Sequence, residues 1–159
     1  MNNEQITKRV KVLTKNLNES KEVIIHASAS SFGNALLIDS WHREKGYDEI
    51  GYNYVVLNGY TNSGYYDEVC DGLIESGRRT NKSGAHTYGH NRNTIGICLI
   101  SKDGIFTENQ MNSLINLLRM LKSKHGDINI KQHSDIDPTN KPFCAGIHPD
   151  VMERIKEII

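Results

Sequence analysis

Apolar residues fall along the chain in alternating short runs and wider-spaced stripes, which predicts alternating strands and helices. Residues 23–26 form a compact Val-Ile-Ile run ending on His26, before the small-residue loop 27–33. That pattern reads as a short buried strand. Over 34–45, Leu37, Ile38 and Trp41 share one side and Gly46 follows as a stop, so a helix is expected. Residues 51–57 carry Tyr52, Tyr54, Val55 and Val56 and read as a strand. The run 94–100 is the strongest strand signal. A second helix opens on Thr107 and Gln110 in a capping-box pattern, runs its stripe through Met111, Leu114, Ile115, Leu118 and Leu121, and closes at Gly126. Residues 128–132 predict a strand leading into His133. Pro149 suits the first turn of a last helix, with Val151, Ile155 and Ile158 facing inward.

The stretch 66–74 is ambiguous: its apolar spacing is helical, but Asp71-Gly72 is a turn signal. The reading adopted is an irregular or briefly helical insertion over 59–70, then a short strand at 73–75. Strands alternating with helices give an α/β class: a single domain with a central mixed β-sheet flanked by helices. The domain is expected over 22–159, with 1–21 as an N-terminal extension, a strand packed on the domain being one form it could take.

Composition narrows the function classes. The 159 residues fit one domain, and 37% hydrophobic with 24% charged content is ordinary for a soluble globular chain. Nineteen basic and nineteen acidic residues cancel, so no net field recommends nucleic acid or an anionic membrane as partner. The first 20 residues lack the apolar core of a secretory signal and no stretch reaches membrane-spanning length, so synthesis in the cytoplasm without membrane insertion is expected. The chain is expected to act as a monomer. Three cysteines with no CxxC pair argue against a disulfide framework. Cys98, inside an apolar run, reads as a small buried hydrophobe. Cys144 lies in the polar loop 137–146, where a thiol has more scope for chemistry.

Three metal-binding side-chain types stand at strand ends or in loops: His26, His133 and Cys144. Catalytic zinc takes three protein ligands and leaves a fourth position for water. The three are far apart in the chain and carry no local signature. A lone strand-end histidine is more often a hydrogen-bonded structural residue.

A wider set of blocks changes that reading. His26-Ala27-Ser28-Ala29, Trp41-His42-Arg43, Gly51-Tyr52, Gly84-Ala85-His86, Asn91 with Ile95-Gly96-Ile97, and His133 followed by Cys144 together resemble the type 2 N-acetylmuramoyl-L-alanine amidases. That family includes phage amidase lysozymes and peptidoglycan recognition proteins. The run 71–78 also resembles the family's Asp-Gly-x-Ile/Val-x-x-Gly-Arg hairpin. The resemblance implies Zn2+ bound by His26, His133 and Cys144, Tyr52 beside the metal, and His86 and Asn91 along a glycan–peptide groove. It implies hydrolysis of the amide between N-acetylmuramic acid and L-alanine, with peptidoglycan or a muropeptide as the partner substrate. Recognition proteins that only bind commonly lack the cysteine, so Cys144 favours catalysis over a non-catalytic binding module. A phage-type endolysin and a cytoplasmic muropeptide-recycling amidase both fit.

Some positions depart from the family. Asn53 stands where a histidine often follows Gly-Tyr. Lys141 stands three residues before the cysteine rather than two, and a one-residue loop adjustment is needed for its amine to reach the site. Tyr52 or Lys141 is expected to donate to the developing oxyanion. The general base is unassigned: the resemblance makes Tyr52 a candidate, although a phenol of ordinary pKa near ~10 is a poor base unless the metal depresses it. His42, His90, His125 and His148 read as structural, surface or capping residues, and Trp41 as core. Asp135 reads either as an orienting partner of His133 or as a loop cap.

Overall fold

The computed structural model describes residues 2–5 and 20–159. Residues 1 and 6–19 lie outside the described set, and with them most of the expected N-terminal extension 1–21. In chain order the elements are strand β1 (Glu22–Ala27), helix α1 (Ala35–Glu44), β2 (Tyr54–Asn58), a 3-10 turn (Glu68–Cys70), β3 (Asp71–Ser76) and β4 (Thr94–Leu99). Then come α2 (Glu108–His125), β5 (Asn129–Gln132), the short α3 (His133–Ile136) and α4 (Pro149–Ile158). The five strands lie in the order β3-β2-β4-β1-β5. β1 runs parallel to β4 and β5, β2 runs parallel to β4, and β3 runs antiparallel to β2. The sheet is mixed, as the sequence implied.

Because side chains alternate across a strand, the sheet buries two different cores. One face carries Val23, Ile25, Val56, Ile95, Ile97 and Leu99 against Leu114, Leu117, Leu118 and Leu121 of α2 and Met152 and Ile155 of α4. The other carries Val55, Leu57, Cys98 and Ile100 against Ile38 and Trp41 of α1, with Tyr52 packed at its margin. His26 belongs to this second face.

Two boundaries differ from the sequence reading. β2 begins at Tyr54 rather than residue 51. Asn53, buried to 1% exposure, accepts from the Gly96 amide at 2.9 Å and donates to the Arg78 carbonyl at 3.0 Å. Backbone pairing continues through Asn53, whose N–H donates to the Gly96 carbonyl at 2.9 Å and whose carbonyl accepts from the Gly77 N–H at 2.8 Å, and its side chain adds to that pairing at the strand's entry. In α4, Met152 and Ile155 are buried while Val151 and Ile158 stand 41% and 50% exposed. The expected and observed stripes share Ile155, and periodicity about one residue does not say which flank faces the sheet. The insertion 59–70 is irregular apart from its 3-10 turn, and β3 follows it as expected. Asp71 anchors it, accepting from the Tyr66 hydroxyl at 2.6 Å and the Thr107 hydroxyl at 2.5 Å.

At the start of α2 the capping box forms in full. Gln110 also donates to the carbonyls of Val56 at 3.1 Å and Ile100 at 2.8 Å, so this fully buried amide leaves no orphaned donor.

Candidate metal centre

His26 lies near the C-terminal end of β1, with Cys98 of β4 as its register partner. On the other side of β1, Ile25 pairs with Gln132, the last residue of β5. His133 therefore emerges one residue beyond that pair, as the first residue of α3, and the two imidazole centroids are 4.5 Å apart. Parallel pairing of β1 and β5 brings the two histidines together.

Cys144 arrives from the loop after α3. The Gln132 amide clamps that loop, donating to the Ile147 carbonyl at 2.8 Å and accepting from its N–H at 3.0 Å. Ser134 N–H donates to the Cys144 carbonyl at 2.6 Å. The Ala27 N–H points at Cys144 Sγ at 3.4 Å, and that sulfur lies 4.0 Å from His26 Nδ1. One ligand-type atom from each of His26, His133 and Cys144 lies within 4.8 Å of the other two.

Burial is the main cause of the site's electrostatics. It holds the His26 imidazole well below the usual 6.5, with repulsion from His86, His133 and Lys141 acting the same way. His133 is lowered by burial and by the Lys141 charge. Both rings are therefore neutral at pH 7, with a lone pair to offer. The Cys144 thiol is pushed up by burial, against the smaller pull of the Ala27 N–H and Lys141. It must surrender a proton to become a ligand.

Tyr52 stands beside this group. Its ring centroid is 5.1 Å from that of His26 and 5.4 Å from that of His42. His42 Nδ1 accepts from the Gly51 N–H at 2.8 Å, so the histidine read as structural holds the segment that carries Tyr52. Burial raises the phenol well above 10, and its hydroxyl rests against the Cys98 thiol. Cys98 is both the buried hydrophobe expected and the seat for Tyr52. Lys141 is exposed, yet its charge reaches His26, His133 and Cys144.

The expected groove residues sit differently. His86, 9% exposed, places its Nδ1 3.0 Å from His26 Nε2 and 3.0 Å from the Thr87 hydroxyl. Its Nε2 is 3.2 Å from the Thr94 hydroxyl. Both ring nitrogens face protein. Burial, helped by His133 and Arg78, lowers this ring to about 4. Asn91 accepts from the N–H groups of His86 and Thr87, both at 2.8 Å, and so shapes the loop that delivers His86. Asp135 accepts from the Gln132 N–H at 2.8 Å as a helix cap. Sequence reasoning missed Gln132, Thr87 and Thr94. A signal existed in Gly96: a glycine inside an apolar strand marks a close approach.

The profile of the N-acetylmuramoyl-L-alanine amidase family matches residues 16–144. The chain belongs to that family. An endolysin of Enterobacteria phage T3 is 30% identical over 133 residues, covering 77% of this chain and 80% of the relative. An endolysin of Escherichia phage T7 is 31% identical over 112 residues, covering 66% of each. Among solved structures, the amidase LysC from Clostridium intestinale superposes with a TM-score of 0.73 at 28% identity, covering 90% of this chain and 86% of its own. Drosophila PGRP-LB shares the fold, with a TM-score of 0.65 at 22% identity, covering 81% of this chain and 76% of its own.

Proposed function

We propose that this amidase cleaves the amide between N-acetylmuramic acid and L-alanine in peptidoglycan, using zinc held by His26, His133 and Cys144. The observation that carries the reading is the convergence of those three donors within 4.8 Å in a chain of this family. The donor set fits the ion. Zn–N and Zn–S bonds of about 2.0 and 2.3 Å in a tetrahedron set ligand separations of about 3.5 Å. Cys144 Sγ and His26 Nδ1 are 4.0 Å apart and the three donors lie within 4.8 Å of one another, so closure by about 0.5 to about 1.3 Å brings them to that spacing. Zinc held there would supply Lewis acidity toward the amide carbonyl and acidify water from about 15.7 toward about 7.

The chain's own residues supply the rest. In the metal-free chain burial holds the phenol well above 10, and a protonated phenol beside the metal ligands suits Tyr52 as a donor to the developing oxyanion. Its present acceptor, a thiol sulfur, is weak and is readily exchanged for an anionic oxygen. The Lys141 ammonium offsets negative charge from the solvent side. The two phage relatives named endolysins support a wall-degrading role. In that reading the chain is made in the cytoplasm and reaches the wall through a separately formed pore.

The test is release of peptides with new L-alanine amino termini from purified walls. Wild type is expected to release them, and Cys144→Ala to lose both zinc and release. Zinc-loaded wild type that binds walls without producing such termini would leave a binding module instead.

A further inference from the structure

We propose that Thr94 and His86 form a hydrogen-bond relay that fixes the tautomer of His26, making His86 a positioning residue rather than a groove wall. The inference deepens the zinc reading, because it concerns which His26 nitrogen offers a lone pair.

Three links from the site stand two backbone carbonyls whose role cannot change. The Thr94 hydroxyl lies 2.8 Å from the His90 carbonyl and 3.0 Å from that of Asn91. Carbonyls only accept, so the single hydroxyl proton is drawn to them. Toward His86 Nε2, at 3.2 Å, Thr94 is left to accept. His86 Nε2 therefore carries hydrogen, and a neutral imidazole protonated there has a lone pair at Nδ1. That lone pair faces His26 Nε2 at 3.0 Å, which must then be an N–H. His26 Nδ1, the nitrogen facing Cys144 Sγ, is left bare and able to ligate.

Thr87 fits the same direction. Its hydroxyl oxygen, 3.2 Å from His26 Nε2 and 3.0 Å from His86 Nδ1, offers the His26 N–H a second acceptor beside the His86 lone pair. The opposite arrangement fails at both ends. Protonated at Nδ1, His86 would set an Nε2 lone pair against the Thr94 oxygen. It would also donate to His26 Nε2, driving the His26 proton onto the atom that faces Cys144. The two tautomers flip together or not at all.

The ring has little room to evade this. A Cβ at Gly96 would meet it at 2.6 Å and one at Gly84 at 2.5 Å, so the two glycines leave the volume His86 fills. Partners that orient a ligating histidine typically change metal affinity 10–100-fold when removed.

The experiment reads ring-nitrogen NMR of 15N-labelled full chain at neutral pH, without and with zinc, alongside zinc affinity by competition with a chromophoric chelator. In wild type, His86 and His26 are expected to be protonated at Nε2 in both states. Thr94→Val removes the acceptor; it is expected to mix the His86 tautomers and weaken zinc about 10–100-fold. Thr94→Ser restores the hydroxyl and is expected to restore both readouts, which a general packing defect would not allow. His86 protonated at Nδ1 in wild type overturns the relay, as does wild-type zinc affinity in folded Thr94→Val. Should wild type hold no zinc, the metal reading fails, and the tautomers of the metal-free chain still decide the relay.

Discussion

Gly96 and His86 are matched in shape: a Cβ added at residue 96 would lie 2.6 Å from two carbons of the His86 ring. A fully buried position on β4 is thus left without a side chain so that an imidazole from the 84–93 loop can lie behind His26. Gly96→Ala is expected to push the ring off His26. It should destabilise the fold by about 1–3 kcal/mol, the usual cost of overpacking, and weaken zinc at least about tenfold. Denaturant unfolding and chelator competition measure the two effects. Wild-type values in both would mean that the ring has slack.

Tyr52→Phe separates binding from turnover. The phenol oxygen lies by Cys98, which is not one of the three candidate ligands. Zinc content is expected to be unchanged while kcat falls about 10²–10³-fold, the usual effect of losing one oxyanion donor. Unaltered kcat would remove the hydroxyl from the reaction.

Lys141→Ala tests the shifted spacing before Cys144. The Lys141 charge already reaches all three candidate ligands, so its loss is expected to slow wall digestion by about tenfold or more. Lys141→Arg should recover part of the rate. A wild-type rate in Lys141→Ala would place the amine outside the working site.

The buried imidazoles set a pH dependence in the metal-free chain. Burial lowers His86 to about 4 from 6.5, and lowers His26 and His133 in the same direction. The unfolded chain therefore takes up protons first as pH falls. Stability is fully present above about 6.5 and is lost progressively toward about 4, with His86 alone contributing on the order of 3 kcal/mol. Urea unfolding at pH 7 and pH 4.5 should show a clear drop, reduced in His86→Gln. A flat profile would mean that these rings are not held neutral.

Much of the architecture was legible because it follows from apolar period. The β1 and β4 runs, the capping box at Thr107 and the stripe of α2 each announce an element on their own. The α4 stripe was misjudged because 151/155/158 and 152/155/159 are equally periodic, and only the facing sheet chooses between them. At the site, periodicity is silent. His26, His133 and Cys144 meet through parallel pairing of β1 and β5 and the clamp of Gln132 on Ile147, relations with no trace in local spacing. Resemblance across several blocks is what marks them in the sequence. The same resemblance marks His86 but not its hydrogen bond to His26, which depends on which side of the ring the fold buries. Thr94 and Gln132 read as ordinary polar residues at strand ends. Only their carbonyl and amide partners reveal what they hold.

Zinc on His26, His133 and Cys144 is expected to drive cleavage at L-alanine. The most direct measurement counts new L-alanine amino termini from purified walls, using one preparation stripped of metal and then reloaded with one equivalent of zinc. The stripped chain should yield none and the reloaded chain a steady release. Equal release from stripped and reloaded chain, or none from a chain holding its full equivalent, would contradict the account.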